Sequence, residues 1–191
     1  MVVVGGRIFY MGWNGTLYGL DGNSGRLSWK HDFAGRATTK LSASGSSLYL
    51  GNSSNRLFRI SVDSGDIQNE LSIPASPEGR ILTDASALYL FLEDHDTHVG
   101  YLMRTDRNLS KIVWIHKAER AWSSEWPRLW NGLLLAGNCK GELDAFRPSD
   151  GKLQWSNNLN GCLRSIGMDG QSGEIYVGAQ EGTLYAFLAP N

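Results

Sequence analysis

Short apolar runs alternate with glycine-rich polar turns along the whole chain. The runs at 8–12, 48–51, 133–137 and 175–178 each carry a few apolar residues into a glycine. Runs of this length, closed by turn residues, predict short β-strands joined as antiparallel hairpins. No segment shows the 3.6-residue apolar period of an amphipathic helix. After each run comes a polar turn, then a second strand opening on Gly-x-Leu, a second turn, and a third strand. A further short strand fits ahead of the runs, at 1–5, 38–44, 80–84, 128–132 and 163–170. The chain is therefore expected to be all-β.

The pattern repeats. In the first copy Gly15, Leu17, Tyr18, Asp21, Ser24, Gly25 and Trp29 mark the strand, turn and following strand. Gly141, Leu143, Arg147, Gly151 and Trp155 mark them again, and Gly100, Leu102, Asp106 and Trp114 do so more faintly. A degraded copy runs through Asn55, Leu57, Ser61, Gly65 and Asn69, and a partial one begins at Gly182 and Leu184. The first positions, 15, 55, 100, 141 and 182, are spaced by 40, 45, 41 and 41 residues. The offset from the Asp21 position to the Trp29 position is eight in all four complete copies. Four strands in a period near 42 residues are the blade of a β-propeller. Five blades follow, at approximately 1–35, 36–76, 77–120, 121–161 and 162–191, the last without an outer strand.

The motif Gly-x-Leu-Tyr-x-Leu-Asp-x-x-Ser-Gly-x-x-x-Trp resembles the blade repeat of the PQQ-like, quinoprotein-type propellers. The resemblance implies one all-β propeller domain of about five repeats. It gives Trp29, Trp114 and Trp155 the task of packing between blades, and gives the turns around Asp21, Gly25, Asp106 and Gly151 that of locking the outer hairpin. Blade 2 departs, with Ser61 for the aspartate and Asn69 for the tryptophan, and blade 4 has Arg147 for the aspartate. Another contact is expected to replace the indole where blade 2 docks.

Composition narrows the function. The 191 residues carry 18 Lys plus Arg against 19 Asp plus Glu, a net charge of −1, which lacks the basic footprint of a nucleic-acid binder. No apolar run approaches the ~18 residues of a membrane-spanning helix, and no charged segment leads an apolar run as in a signal peptide. The compartment is left open. Cys139 and Cys162, 23 residues apart and without metal-ligand spacing, are expected to be ordinary unpaired core or turn residues.

Two places invite chemistry. Glu93, Asp94, His95, Asp96, Thr97 and His98 cluster in a turn of blade 3, and His95 with His98 offers a weak metal pair. A solvated hairpin tip is the plainer account, since these residue types suit turns. Trp122, Trp126 and Trp130, with Arg128, crowd the entry to blade 4, and Trp13 occupies a comparable turn of blade 1. These rings either fill the space between blades or form an aromatic platform for a partner. His31 and His116 follow Trp29 and Trp114 at the same offset of two, which is repeat geometry.

No nucleophile–base arrangement or phosphate-binding glycine loop emerges. The enzymes of the resembled family carry eight blades, the quinone, Ca²⁺ ligands, a catalytic aspartate and adjacent cysteines, and this sequence has no adjacent cysteines. Neither cofactor nor metal is expected. The reading is a non-enzymatic scaffold for a protein partner or an accessory domain of an assembly, as monomer or homodimer, without nucleic-acid binding or membrane insertion. The alternative is a module binding a sugar, peptide or quinone in the channel or on the tryptophan-rich rim.

Overall fold

The computed structural model describes residues 1–12, 14–33, 35–118, 127–170 and 172–188, and their regular structure is all β. Five sheets follow one another along the chain. Blade 1 holds β1 (Val2–Val4), β2 (Arg7–Met11), β3 (Thr16–Asp21) and β4 (Leu27–Asp32), paired antiparallel in that order. After β5 (Thr39–Lys40), blade 2 holds β6 (Ser42–Ser44), β7 (Ser47–Asn52), β8 (Arg56–Ser61) and β9 (Ile67–Ser72). Blade 3 holds β10 (Ser76–Thr83), β11 (Ala87–Asp94), β12 (Val99–Asp106) and β13 (Ile112–Ala118). Blade 4 holds β14 (Arg128–Trp130), β15 (Leu133–Gly137), β16 (Glu142–Phe146) and β17 (Leu153–Asn158). Blade 5 has three described strands, β18 (Leu163–Met168), β19 (Glu174–Ala179) and β20 (Leu184–Leu188). The chain is a β-propeller of about five blades.

In blades 2 to 4 the second strand is the most buried, because both its faces meet neighbouring blades; all of β7 is buried. The apolar cores lie between blades. One joins blades 1 and 2 through Phe9, Leu17, Leu50 and Phe58, and the next joins blades 2 and 3 through Tyr49, Leu57, Leu90 and Met103. A third runs through blades 3, 4 and 5. Among the described residues no core cluster joins blade 5 to blade 1.

Polar contacts repeat at these interfaces. The Trp29 indole donates to the Val62 carbonyl (3.1 Å), and Arg7 reaches the same carbonyl and the Asp63 carboxylate. Two interfaces on, between blades 3 and 4, Trp114 donates to the Pro148 carbonyl (2.9 Å) and Arg104 reaches Ser149. Each indole lies flat on a glycine of the next turn. A Cβ on Gly65 would fall 2.5 Å from Trp29, and one on Gly151 2.8 Å from Trp114; both glycines also hold positive φ. Gly25, with φ +67, faces open space. Between blades 2 and 3 the indole is replaced: Asn69 donates to the Asn108 carbonyl (2.5 Å) and Arg59 to its side chain (2.7 Å). Tyr49 and Arg107 complete that dock, Arg107 reaching back to Ser44. Trp155 packs against the last core, but its buried Nε1 has no acceptor among the described residues.

Within each turn a side chain caps the backbone. Asp21 accepts from the amides of Asn23 and Ser24 and the Ser24 hydroxyl, which hold its carboxyl below the usual range. Asp106 is pushed up by burial and pulled further down by the amides of Lys111 and Ser110 and the Ser110 hydroxyl. Ser61 takes that part in blade 2. In blade 4 Arg147 instead pairs with Asp150, whose carboxylate caps Lys152.

Three expectations are corrected. The innermost strand expected at 38–44 is broken at buried Leu41, and its first half, β5, leaves blade 2 to pair in parallel with β10 of blade 3. The strand expected at 80–84 begins earlier, at Ser76, and bulges between Glu78 and Leu82. Cys139 and Cys162 are not free but form a disulfide. Cys139 lies in the β15–β16 turn of blade 4 and Cys162 just before β18 of blade 5, where the Leu163 amide donates to Asn138.

His116 of blade 3 lies 4.7 Å, ring to ring, from buried Phe146 of blade 4. Burial lowers its pKa and the Asp144 carboxylate only partly restores it. Burial likewise raises the Asp144 carboxyl, against the Ser156 hydrogen bond that lowers it.

Trp114→Phe, which removes the indole donor to the Pro148 carbonyl, should cost about 1 kcal/mol more than Trp155→Phe in urea melts, and Trp29→Phe, whose Val62 acceptor keeps Arg7, should cost less than Trp114→Phe. Cys139→Ser should cost about 3 kcal/mol for a loop of 23 residues, and dithiothreitol should lower the melting temperature of the parent but not of the variant. Because folding favours neutral His116, the unfolded chain takes up that proton first, so stability should fall as pH drops through about 6.5. His116→Phe should flatten that part of the pH–stability curve; Asp144 acts in the opposite sense, nearer the carboxylate range.

Candidate functional site

The innermost strands of blades 1 to 3 surround a cavity of about 850 Å³ on the channel side. Blade 1 gives Val2 and Met11, and the 36–43 segment supplies Arg36, Thr38, Lys40 and Ser42. The β10 bulge adds Glu78, Arg80 and Thr83.

The bulge builds this wall. Glu78 pairs with Phe91 and Leu82 with Tyr89, so β10 carries two residues more than β11 over that stretch. Gly79, with φ +69, turns the strand out, and Gly79 and Arg80 pair with Thr39 and Lys40 instead. Ser42 donates to the Ile81 carbonyl (2.6 Å), which fixes the bulge. On the other side the Gly51 amide donates to the Thr39 hydroxyl (2.8 Å) and the Thr38 amide to the Gly51 carbonyl. Parallel register sets the cationic pair Lys40 and Arg80 side by side, about 4.8 Å apart across the strands.

Arg36, Lys40 and Arg80 face one carboxylate, Glu78, in the lining. That carboxylate is engaged: its Oε1 accepts from the Ser76 hydroxyl (3.0 Å) and lies 3.2 Å from His95 Nε2. The side chains of Arg36 and Arg80 make no hydrogen bond or ion pair among the described residues, and both residues are exposed.

His95 and His98 sit at the β11–β12 hairpin tip. Glu93 Oε1 lies 3.9 Å from His95 Nδ1 and 3.5 Å from His98 Nδ1, so both imidazoles turn towards the same carboxylate oxygen. Asp94 caps the tip through the amides of Asp96 and Thr97, and the Thr97 hydroxyl and amide hold its carboxyl below the usual range. Among the described residues no group of three His, Cys, Asp or Glu side chains is placed to hold a metal ion.

The tryptophan cluster divides. Trp130, on the innermost strand of blade 4, is half-buried and packs against the core of blades 3 to 5. Arg128 lies beside it on the same strand, also half-buried. Trp13, Trp122 and Trp126 lie outside the described residues. The arginines of the cavity were not singled out from the sequence. They stand outside the repeat motif, and only the bulge and the broken innermost strand bring them together.

The quinone and Ca²⁺ implied by the resemblance do not fit this cavity. Ca²⁺ takes several oxygen ligands, and the lining offers one carboxylate already engaged. No aromatic ring lines it among the described residues to cover a flat cofactor.

The family model of the outer membrane protein assembly factor BamB matches residues 1–97 and again 98–190. BamB of Escherichia coli (strain K12) is 20% identical over 185 residues, which cover 97% of this chain and 35% of BamB. The chain thus spans about a third of the length of the curated relatives it matches. The computationally designed Ika8 protein superposes with a TM-score of 0.82 at 9% identity, covering 98% of this chain and 57% of Ika8. A europium-containing methanol dehydrogenase superposes with a TM-score of 0.73 at 12% identity, covering 99% of this chain and 50% of the enzyme. At such identities the structural likeness is one of fold, whereas the sequence match takes in both halves of the chain: it belongs to the BamB family of PQQ-like β-propeller repeats.

Proposed function

We propose that this chain is a non-enzymatic propeller scaffold that presents the channel mouth of blades 1 to 3 to a protein partner, within a larger assembly. One observation carries the reading. The polar groups supplied by the repeat are consumed in joining blades, whereas Arg36 and Arg80, whose side chains make no hydrogen bond or ion pair among the described residues, open onto the channel cavity. Membership in a family named for an assembly factor supports the same role. The disulfide between blades 4 and 5 suits work in an oxidising compartment.

Catalysis needs a nucleophile or a proton donor and acceptor facing the space where substrate sits. The lining supplies cations, hydroxyls, aliphatic groups and a single carboxylate, Glu78, already engaged by Ser76 and His95. The cavity volume also falls in the range of small-molecule sites, which favours ligand binding as the second reading.

Photo-cross-linking separates the two readings. A photoreactive residue at Thr83, on the cavity rim, should give a discrete protein adduct in the cells that make this protein, and one at Gln154, on the outer strand of blade 4, should give none. A metabolite co-purifying with the chain, without rim adducts, would favour the small-ligand module. Turnover of an alcohol with an electron-accepting dye would overturn the non-enzymatic assignment.

A further inference from the structure

We infer that the cavity takes an extended acidic segment of the partner, with Arg36 and Arg80 binding its carboxylates. This rests on the scaffold reading above and specifies the chemistry of the partner.

Charge comes first. In a chain of net charge −1, the cavity gathers Arg36, Lys40 and Arg80 against Glu78 alone. Like charges directly opposite across two strands are unfavourable, yet the register sets Lys40 beside Arg80. The fold spends a bulge, a parallel pairing and the Ser42–Ile81 hydrogen bond on this juxtaposition. Glu78, the carboxylate of the lining, is drawn towards Ser76 and His95. Guanidinium groups bind carboxylates through paired N–H donors, and a concave low-dielectric wall concentrates the field.

Shape selects among anions. The volume of about 850 Å³ and its open form accommodate several residues of extended chain. β1 and β6 are the end strands of their sheets, and Val2, Ser42 and Ala43 line the cavity. A peptide main chain can pair with such edges, and a small anion cannot use them. Single-stranded nucleic acid binds by stacking bases on aromatic rings, and no described residue in the lining is aromatic.

The test uses the purified chain and a short fluorescent peptide of alternating glutamate and serine, with a glutamine–serine peptide as its neutral counterpart. Anisotropy should show saturable binding of the acidic peptide alone, weakening as salt rises from about 0.05 to about 0.5 M. Arg36→Gln and Arg80→Gln should each weaken it about tenfold. Arg80→Glu should weaken it further, and Lys30→Gln on the exposed outer strand of blade 1 should leave it unchanged. Melting temperatures of the variants should not fall below the parent's, since neither arginine side chain has an intramolecular partner among the described residues. Equal binding to the arginine variants, or no binding, would overturn the acidic segment; cross-links at Thr83 would then still stand for the scaffold. Binding of an oligothymidylate, or of pyrroloquinoline quinone as a small tricarboxylate, as tightly through the same arginines would overturn it as well.

Discussion

Everything in this molecule hangs on one blade gripping the turn of the next. A four-stranded sheet of about 30 residues cannot bury both its faces alone, so each blade is stable only against a neighbour. The grip combines three terms. An indole covers a glycine whose positive φ and missing side chain let the ring lie flat, as Trp29 does on Gly65. The indole N–H satisfies a carbonyl of that same turn, and an arginine reaches it from a second direction. Apolar side chains of the second and third strands then close the core beneath.

Because the grip is directional, losing one part has a local remedy. Blade 2 has no tryptophan, and an amide of Asn69 reaches the turn of blade 3 where an indole would have stacked. An amide covers far less apolar surface than an indole. The deficit is met by Tyr49, Arg59 and Arg107, which stitch blades 2 and 3 with four hydrogen bonds to backbone and side-chain acceptors. Blade 5 meets its neighbour differently again. Trp155 gives apolar contact without a hydrogen bond, and the disulfide from Cys139 to Cys162 supplies a covalent tie close by.

The strands were legible because each is written locally. Apolar alternation, Gly-x-Leu and the turn residues specify a hairpin within about 20 residues, and the eight-residue offset repeats wherever the hairpin does. The substitute contact at Asn69 was legible as a need, though not as Asn108 and Arg59. What escaped the sequence is what consecutive blades create between themselves. Cys139 and Cys162 occupy unrelated places in the repeat, and they meet because the hairpin tip of one blade abuts the entry of the next. The broken innermost strand escaped for the same reason, since residues 38–44 read as one short strand until β10 competes for half of it. Arg36, Lys40 and Arg80 span 45 positions and share no motif, so only that rearrangement unites them.

Such departures are where function has room to act. A repeat that only stacks needs the same residues in every blade, and a side chain that improves docking improves it everywhere. The β10 bulge improves no dock. It removes Gly79 and Arg80 from pairing with β11, brings two cations together and needs Ser42 to satisfy the Ile81 carbonyl. Unfavourable local choices held in place by their surroundings are characteristic of binding surfaces. The docks on either side allow this: with blades 1, 2 and 3 fixed by Trp29 and Arg107, the channel wall between them can carry two adjacent cations without coming apart.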